Sequence, residues 1–430
     1  MKNNYSSLLG LRKELLSFRE RRLVMDQDYP TIDRASKDHE KRRLGLYIHI
    51  PFCIRKCDYC DFLSAPATDT MKKRYVEALL TEIKSYHGKM EDYLVSTIFF
   101  GGGTPSAIDA YYIEEIINAI HDSFPMDHQE LEISIEVNPG SISKEKFQTY
   151  KRAGINRLSF GLQSTDNKEL KILGRIHTYE DFLGNFKLAR EVGFDNINVD
   201  LMSALPKQTL KSWEDTLNKV AELEPEHISA YSLIIEEGTP FYHLYREGGS
   251  YRRDLPDEET DRRIYHRTKE ILKEYGYYRY EISNYSKPGY ECKHNLSYWI
   301  GREYLGLGLG SSSLLNGTRF HNIQDINNYL QITLEGASGS KLLGALREDY
   351  KQLSIEEKME EFMFLGLRMT DGVSREEFKR RFQVNIDQIY QEQINTLINH
   401  KLLQGKGDRI YLTDYGLDIS NLVLEQFLLN

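Results

Sequence analysis

The stretch LGLYIHIPFCIRKCDYCDF, residues 44–62, is the strongest constraint in this 430-residue chain. Three of its four cysteines, Cys53, Cys57 and Cys60, crowd into one short loop. The apolar, β-branched run LGLYIHI ends at a proline and reads as a strand that delivers the loop from its C-terminal end. A disulfide framework needs dispersed partners, which this chain lacks, so a reducing cytoplasmic setting is expected. Three thiolates at C-x3-C-x2-C suit a cubane 4Fe-4S cluster whose fourth iron has no protein ligand. Zinc is the alternative, with Cys292 or a histidine as the fourth ligand, although zinc usually draws C-x2-C pairs from two loops.

The rest of the chain alternates strands and helices. Strand-like runs fall at 95–102, 132–139, 157–164, 197–205 and 227–235, separated by amphipathic helical patterns such as YYIEEIINAIHDSF and YEDFLGNFKLAREVG. Repeated βαβ units imply a parallel sheet curled into a barrel or partial barrel. Ligand-binding residues in such barrels sit where strands end and loops begin. Gly103, Thr104 and Pro105 follow the second strand, Glu136 and Asn138 close the third, Gln163 the fourth and Asp200 the fifth. Arg175 lies just beyond the fourth strand, in LGRIHT. Each alone is more often a cap or an ion-pair partner. Together, above one cysteine loop, they read as a ligand site.

LYIHIPFCIRKCDYCDF, FFGGGTPS, IEVNPG, RLSFGLQS, LGRIHT and HISAYSLIIEEGTP together resemble the coproporphyrinogen-dehydrogenase branch of the radical S-adenosylmethionine (SAM) proteins. The resemblance runs from about residue 44 to 315. It implies an α/β fold, a partial (β/α)6 barrel with a C-terminal winged-helix-like α+β domain. It also implies a 4Fe-4S cluster on Cys53, Cys57 and Cys60, with Tyr47 beside the SAM sulfonium. Tyr59, Gly103, Thr104, Pro105, Glu136, Gln163, Arg175 and Asp200 are the implied SAM contacts. One departure is DLMSALPKQT, where Ala204 and Lys207 stand in place of the branch's usual glycines and are expected to alter the loop beneath SAM.

Two stretches choose within the branch. The dehydrogenases usually carry a further cysteine two residues after the third, and here that position is Phe62. HNLSYW, residues 294–299, is similar to the H-N-x-x-Y-W motif of the haem-chaperone family, which binds haem and passes it on. By that resemblance His294 ligates haem iron, with Cys292 as the rival ligand, and Tyr298 and Trp299 offer flat faces to the porphyrin. The bland alternative is a buried, hydrogen-bonded histidine in an aromatic core. GLGLGSSS lacks the alanine of the family's G-x-G-x-G-A-x-S, so a slightly different turn is expected there. The favoured function is haem transfer to an acceptor protein, with a 4Fe-4S cluster and SAM bound. The alternative is an oxygen-independent coproporphyrinogen III dehydrogenase, a radical enzyme that decarboxylates propionates.

The expected organisation is a basic N-terminal extension over 1–43, a barrel over 44–280, a haem-motif linker region over 281–345 and the C-terminal domain over 350–430. The extension carries eleven Lys or Arg against seven Asp or Glu, and LLGLRKELLSFRERRL reads as a basic amphipathic helix. Packing on the barrel is preferred for it over peripheral contact with a membrane surface or a partner. A homodimer is also entertained. Neither a membrane-length apolar run nor a charged-then-apolar leader is found. Nucleic acid is not an expected partner, because net charge is −9 and residues 351–430 hold ten basic against thirteen acidic groups.

Overall fold

The computed structural model describes residues 41–336 and 338–429, so the expected N-terminal helix lies outside the described residues. Six parallel strands form the centre of the fold: β1 (Arg42–Ile50), β2 (Tyr93–Gly102), β3 (Glu132–Val137), β4 (Arg157–Gln163), β5 (Ile197–Ser203) and β6 (His227–Ser232). They neighbour one another in sequence order, as consecutive right-handed βαβ units require. The expected partial (β/α)6 barrel is what the chain forms.

The crossover helices follow from local chemistry. In α1 (Asp69–Lys84), α2 (Ala110–Ser123) and α3 (Lys144–Arg152), the side chains of Thr68, Asp109 and Ser143 cap the first turn. The short α4 (Asn167–Ile172) precedes α5 (Tyr179–Val192), which opens with a Thr178–Asp181 capping box and stops at Gly193, in the left-handed region at φ 96°. A second box, Thr209–Ser212, opens α6 (Leu210–Ala221).

Alternation along the strands sorts the side chains. On β1, Leu44, Leu46, Ile48 and Ile50 are fully buried in the core beneath the helices. Their alternates Gly45, Tyr47 and His49 face the lumen, as do Thr97 and Phe99 of β2 and Ser134 and Glu136 of β3. The outer layer is apolar and the lumen is polar.

After β6 come α7 (Pro240–Tyr245), α8 (Glu258–Glu274), β7 (Tyr278–Arg279) and β8 (Asn284–Ser286), the last pairing antiparallel with β6. The stretch 281–345, expected as a linker region, contributes four strands to this same sheet. Beyond α9 (Lys293–Trp299), β9 (Tyr304–Leu307) runs parallel to β1 on its free edge. β10 (Ser312–Leu315) and β11 (Thr318–Asn322) continue it antiparallel, and α10 (Ile326–Glu335), α11 (Gly339–Leu346) and β12 (Arg347–Gln352) complete the unit. Ser311, where the family has alanine, donates its hydroxyl to Gly308 O at 2.8 Å, so the extra polar atom is satisfied.

Residues 41–298 with Arg302–Gln352 form one compact unit; Trp299–Gly301 with the chain from Leu353 onward form another. The second contains α12 (Ile355–Gly366), β13 (Val373–Ser374), α13 (Arg375–Phe382) and α14 (Ile386–Asn399). The hairpin β14 (Leu403–Lys406) and β15 (Arg409–Leu412) follows, with β13 paired to β15, in winged-helix order. Short helices α15 (Asp414–Asp418) and α16 (Ser420–Leu424) end it. No helix among the described residues is long and apolar enough to cross a membrane.

Glu82 of α1 ties the late strands to the barrel. Fully buried, it accepts from Tyr329 Oη at 2.6 Å, Asn322 Nδ2 at 2.7 Å and Gly308 N at 2.9 Å. Glu82→Ala strands three buried donors, each costing ~1–3 kcal/mol. We expect a loss of about 3 kcal/mol or more, read as a lower urea midpoint at unchanged m-value.

Candidate functional site

The cysteine loop is anchored at both ends. Cys53 N donates to Ala65 O at 3.2 Å and Ala65 N to Pro51 O at 3.0 Å, while Cys60 N closes a turn on Cys57 O at 3.2 Å. Cys53 is buried; Cys57 and Cys60 are half-buried. Burial pushes the Cys53 and Cys60 thiols up, as an unligated thiol in a protein wall should behave. Among the described residues no three His, Cys, Asp or Glu groups converge to hold a single metal ion. A cubane takes one thiolate per iron, so three spaced cysteines on one loop fit that donor set.

The loop after β2 packs beneath it. Gly103 N donates to Ile50 O at 2.9 Å and Thr104 N to Phe52 O at 2.7 Å; a Cβ at Gly103 would stand 2.7 Å from Phe52 O. Only glycine admits that approach. Pro105 starts a single 3-10 turn whose Ser106 hydroxyl accepts from Asn138 N at 3.1 Å.

Arg175 gathers the strand ends. Its Nη1 donates to Cys57 Sγ at 3.5 Å, and its Nη2 donates to Asn138 Oδ1 and Gly161 O. Tyr59 is hydrogen-bonded to the same guanidinium and has Phe241 of α7 at its ring edge. Gln163, at φ 72° beside a register slip in β4, carries its amide near that cluster, as the close approach of both groups to Gly161 shows.

Lower in the lumen stand Glu136 and Asp200. Asp200 accepts from Ser159 Oγ at 3.0 Å and Asn198 Nδ2 at 2.8 Å. Burial raises its pKa. Burial first, and the Asp200 charge second, push Glu136 up to about 8. Tyr47, against Phe99, places its hydroxyl 3.2 Å from His49 Nδ1, and His49 Nε2 lies 2.9 Å from Leu63 O. His49 thus ties the lumen wall to the cysteine loop. It was missed in the sequence, although its place in the β1 alternation was the available signal.

Ala204 and Lys207 take φ values of 57° and 65°, the left-handed region that favours glycine. The loop keeps a glycine-type path without glycines. Lys207 N donates to Asp254 O at 2.6 Å and Gln208 Oε1 accepts from Leu205 N at 3.3 Å, which holds that conformation.

The residues of HNLSYW lie elsewhere. His294 packs at the N-terminal end of the strands, opposite the cysteine loop, with Nδ1 2.9 Å from Thr97 Oγ1 and Nε2 3.0 Å from Tyr298 Oη. Its ring stacks on Phe99 at 5.2 Å. Cys292 Sγ faces Glu132 Oε1 at 3.7 Å. Both residues are essentially without solvent exposure. Burial, with help from Arg157, depresses His294 to about 3, so the imidazole is neutral. Trp299 belongs to the C-terminal unit, where Arg368 lies 4.4 Å over its ring and a cavity of about 380 Å³ opens beside it. The candidates within the barrel unit therefore form two groups, one at each end of the lumen, and Trp299 belongs to the other unit. Glu132 and Arg157, central to the lower group, were not singled out in the sequence.

Fold and cysteine loop together define a radical SAM protein: residues 47–220 match the Radical SAM superfamily, and residues 353–419 match the HemN C-terminal domain. The chain is 38% identical over 386 residues to the heme chaperone HemW of Lactococcus lactis subsp. lactis (strain IL1403), covering 90% of this chain and 97% of that protein. It is 36% identical to the heme chaperone HemW of Bacillus subtilis (strain 168), covering 89% and 99%. The chain belongs to the HemW family of haem chaperones. Its fold is also that of coproporphyrinogen III oxidase (HemN) from Escherichia coli, with a TM-score of 0.75, 24% identity and 91% of each chain covered.

The carboxyl of Glu136 gives a pH test in the ligand-free chain. An unfolded glutamate titrates near ~4.3 and the folded one at about 8. Below the lower value both states are protonated. Between the two only the unfolded state ionises, so Glu136 costs stability progressively as pH rises, levelling above 8. Glu136→Gln removes that slope. Its urea midpoint should match wild type near pH 4.5 and exceed it increasingly up to pH 8.

Proposed function

We propose that this chain binds haem and delivers it to an acceptor protein while carrying a 4Fe-4S cluster and SAM. The observation that carries the reading is the kinship with heme chaperones HemW over 90% of the chain, joined to HNLSYW and to an exposed Phe62 where the dehydrogenases usually carry a cysteine.

Cys53, Cys57 and Cys60 would hold the cluster, which together with SAM would supply one-electron chemistry when bound. The chain's own residues position and shield. Arg175 holds Cys57 through a hydrogen bond to its sulfur, Gly103 lets backbone approach the ligand, and Thr104 adds a hydroxyl. Glu136 and Asp200 offer carboxylates to a cationic partner, whose arrival would favour ionised Glu136. Tyr47 and Tyr59 wall the site. Replacing any one of Cys53, Cys57 or Cys60 by Ala should remove the iron–sulfur absorbance and most of the bound iron. Cys292→Ala should leave both. Zinc in place of iron, or loss of the cluster in Cys292→Ala, refutes this assignment.

For haem we assign His294 as the iron ligand. Its neutral imidazole suits the task, and Thr97 beside Nδ1 would fix the tautomer that presents Nε2. Coordination would require His294 Nε2 to give up the Tyr298 hydroxyl, whose ring stands at the edge of the imidazole. Haem should bind one per chain without added SAM, and His294→Ala should weaken it about tenfold or more and shift the Soret band. Loss of a thiolate-type spectrum in Cys292→Ala alone moves the ligand two residues. Anaerobic conversion of coproporphyrinogen III to protoporphyrinogen with SAM and reductant, alongside haem binding no stronger than to a generic apolar pocket, would favour the dehydrogenase instead.

A further inference from the structure

The lower end of the lumen is closed by the segment Cys292–Tyr298, and one carboxylate holds it there. Glu132, the first residue of β3, is itself buried. Its Oε1 accepts from His294 N at 3.1 Å and faces Cys292 Sγ at 3.7 Å; its Oε2 accepts from Lys293 N at 3.1 Å. Three consecutive residues thus hang on one side chain from another element, about 160 residues away in the chain. Arg157 of β4, fully buried, has Nε and Nη1 without a hydrogen-bond partner among the described residues, and its charge acts on both Glu132 and Cys292. The hold on the segment therefore rests on one carboxylate that accepts from two of its backbone N–H groups and faces a third residue's thiol.

The segment's own polar groups are spent inward. His294 has Thr97 at one nitrogen and Tyr298 at the other, and Ser297 Oγ donates to His294 O at 2.6 Å. An iron atom approaching His294 needs a free nitrogen and room for a porphyrin plane. Neither exists while Glu132 holds the segment, because His294 is 1% exposed and Cys292 0%.

We propose that Cys292–Tyr298 is a latched segment, that Glu132 is its latch, and that haem reaches His294 only when the latch opens. The second half rests on the reading of His294 as haem ligand; the first half does not. Glu132 is a positioning residue: it touches the segment and acts on haem only through it.

The test uses the full chain under native conditions. Thiol alkylation is read at Cys292 by mass spectrometry, and haem association is followed by stopped-flow absorbance. In wild type, Cys292 should react slowly but at a rate independent of low urea, the mark of local opening rather than global unfolding. Glu132→Gln, which keeps shape but replaces one acceptor oxygen by an amide donor, should accelerate Cys292 alkylation about 10- to 100-fold. It should accelerate haem association by a similar factor. Thr97→Val, a milder release that spares Glu132, should shift both rates in the same direction and guards against misfolding of the first variant. Alkylation that follows global unfolding in all three proteins overturns the latch. Faster alkylation with unchanged haem association overturns the gating of haem. A haem spectrum indifferent to His294→Ala overturns the ligand assignment instead, while the alkylation rates still judge the latch.

Discussion

A parallel barrel whose strands alternate apolar and polar residues must find partners for everything that points inward. The six strands satisfy their outer faces with helices, and burial of Leu44, Leu46, Ile48 and Ile50 and their counterparts drives the assembly. The inner face carries Tyr47, His49, Thr97, Glu132, Glu136, Arg157, Asn198, Asp200 and His227, in a space largely shut off from water. An unpaired polar group there costs ~1–3 kcal/mol and an unpaired charge more. Much of the remaining structure is arranged around that cost.

At mid-height the solution is internal. Asn198 bonds to Ser159, Asp200 and His227, and His227 reaches Tyr280, so residues from three adjacent strands and the segment before β8 share one network. At the upper end the partners are the loops: Arg175 joins Cys57, Asn138 and Gly161, and His49 reaches Leu63. At the lower end Glu132 and Thr97 are answered by Cys292–His294. Glu136 with its raised pKa, and Arg157 with Nε and Nη1 lacking a hydrogen-bond partner among the described residues, mark where the lumen is least settled without a ligand.

The strands past residue 280 extend the same logic sideways. β9 covers the open edge of β1, and Glu82 anchors the turn after β9 through Gly308, Asn322 and Tyr329. An uncovered parallel edge would leave a row of backbone donors and acceptors unpaired. Phe362, Phe378, Phe382 and Tyr390 form a separate aromatic core in the C-terminal unit, which accounts for its compactness.

Strand positions, crossover helices and the cysteine loop were legible because they depend on local pattern: apolar runs, caps such as Thr178 and Thr209, and spacing within a dozen residues. HNLSYW and the strand-end acids could be picked out as residue types for the same reason. Their placement could not. Whether His294 faces the cysteine loop or lies at the opposite end depends on how α9 meets strands nearly 200 residues away, and no local period encodes that. The left-handed backbone at Ala204 and Lys207 likewise contradicts the residues' own preference and is imposed by contacts such as Lys207 N to Asp254 O. Tertiary packing alone decided that His294 keeps both nitrogens engaged, that Glu132 and Arg157 share one floor, and that β9 to β12 belong to the barrel sheet. Those outcomes rest on strand register and on pairing charges out of water, which only the assembled chain can arrange.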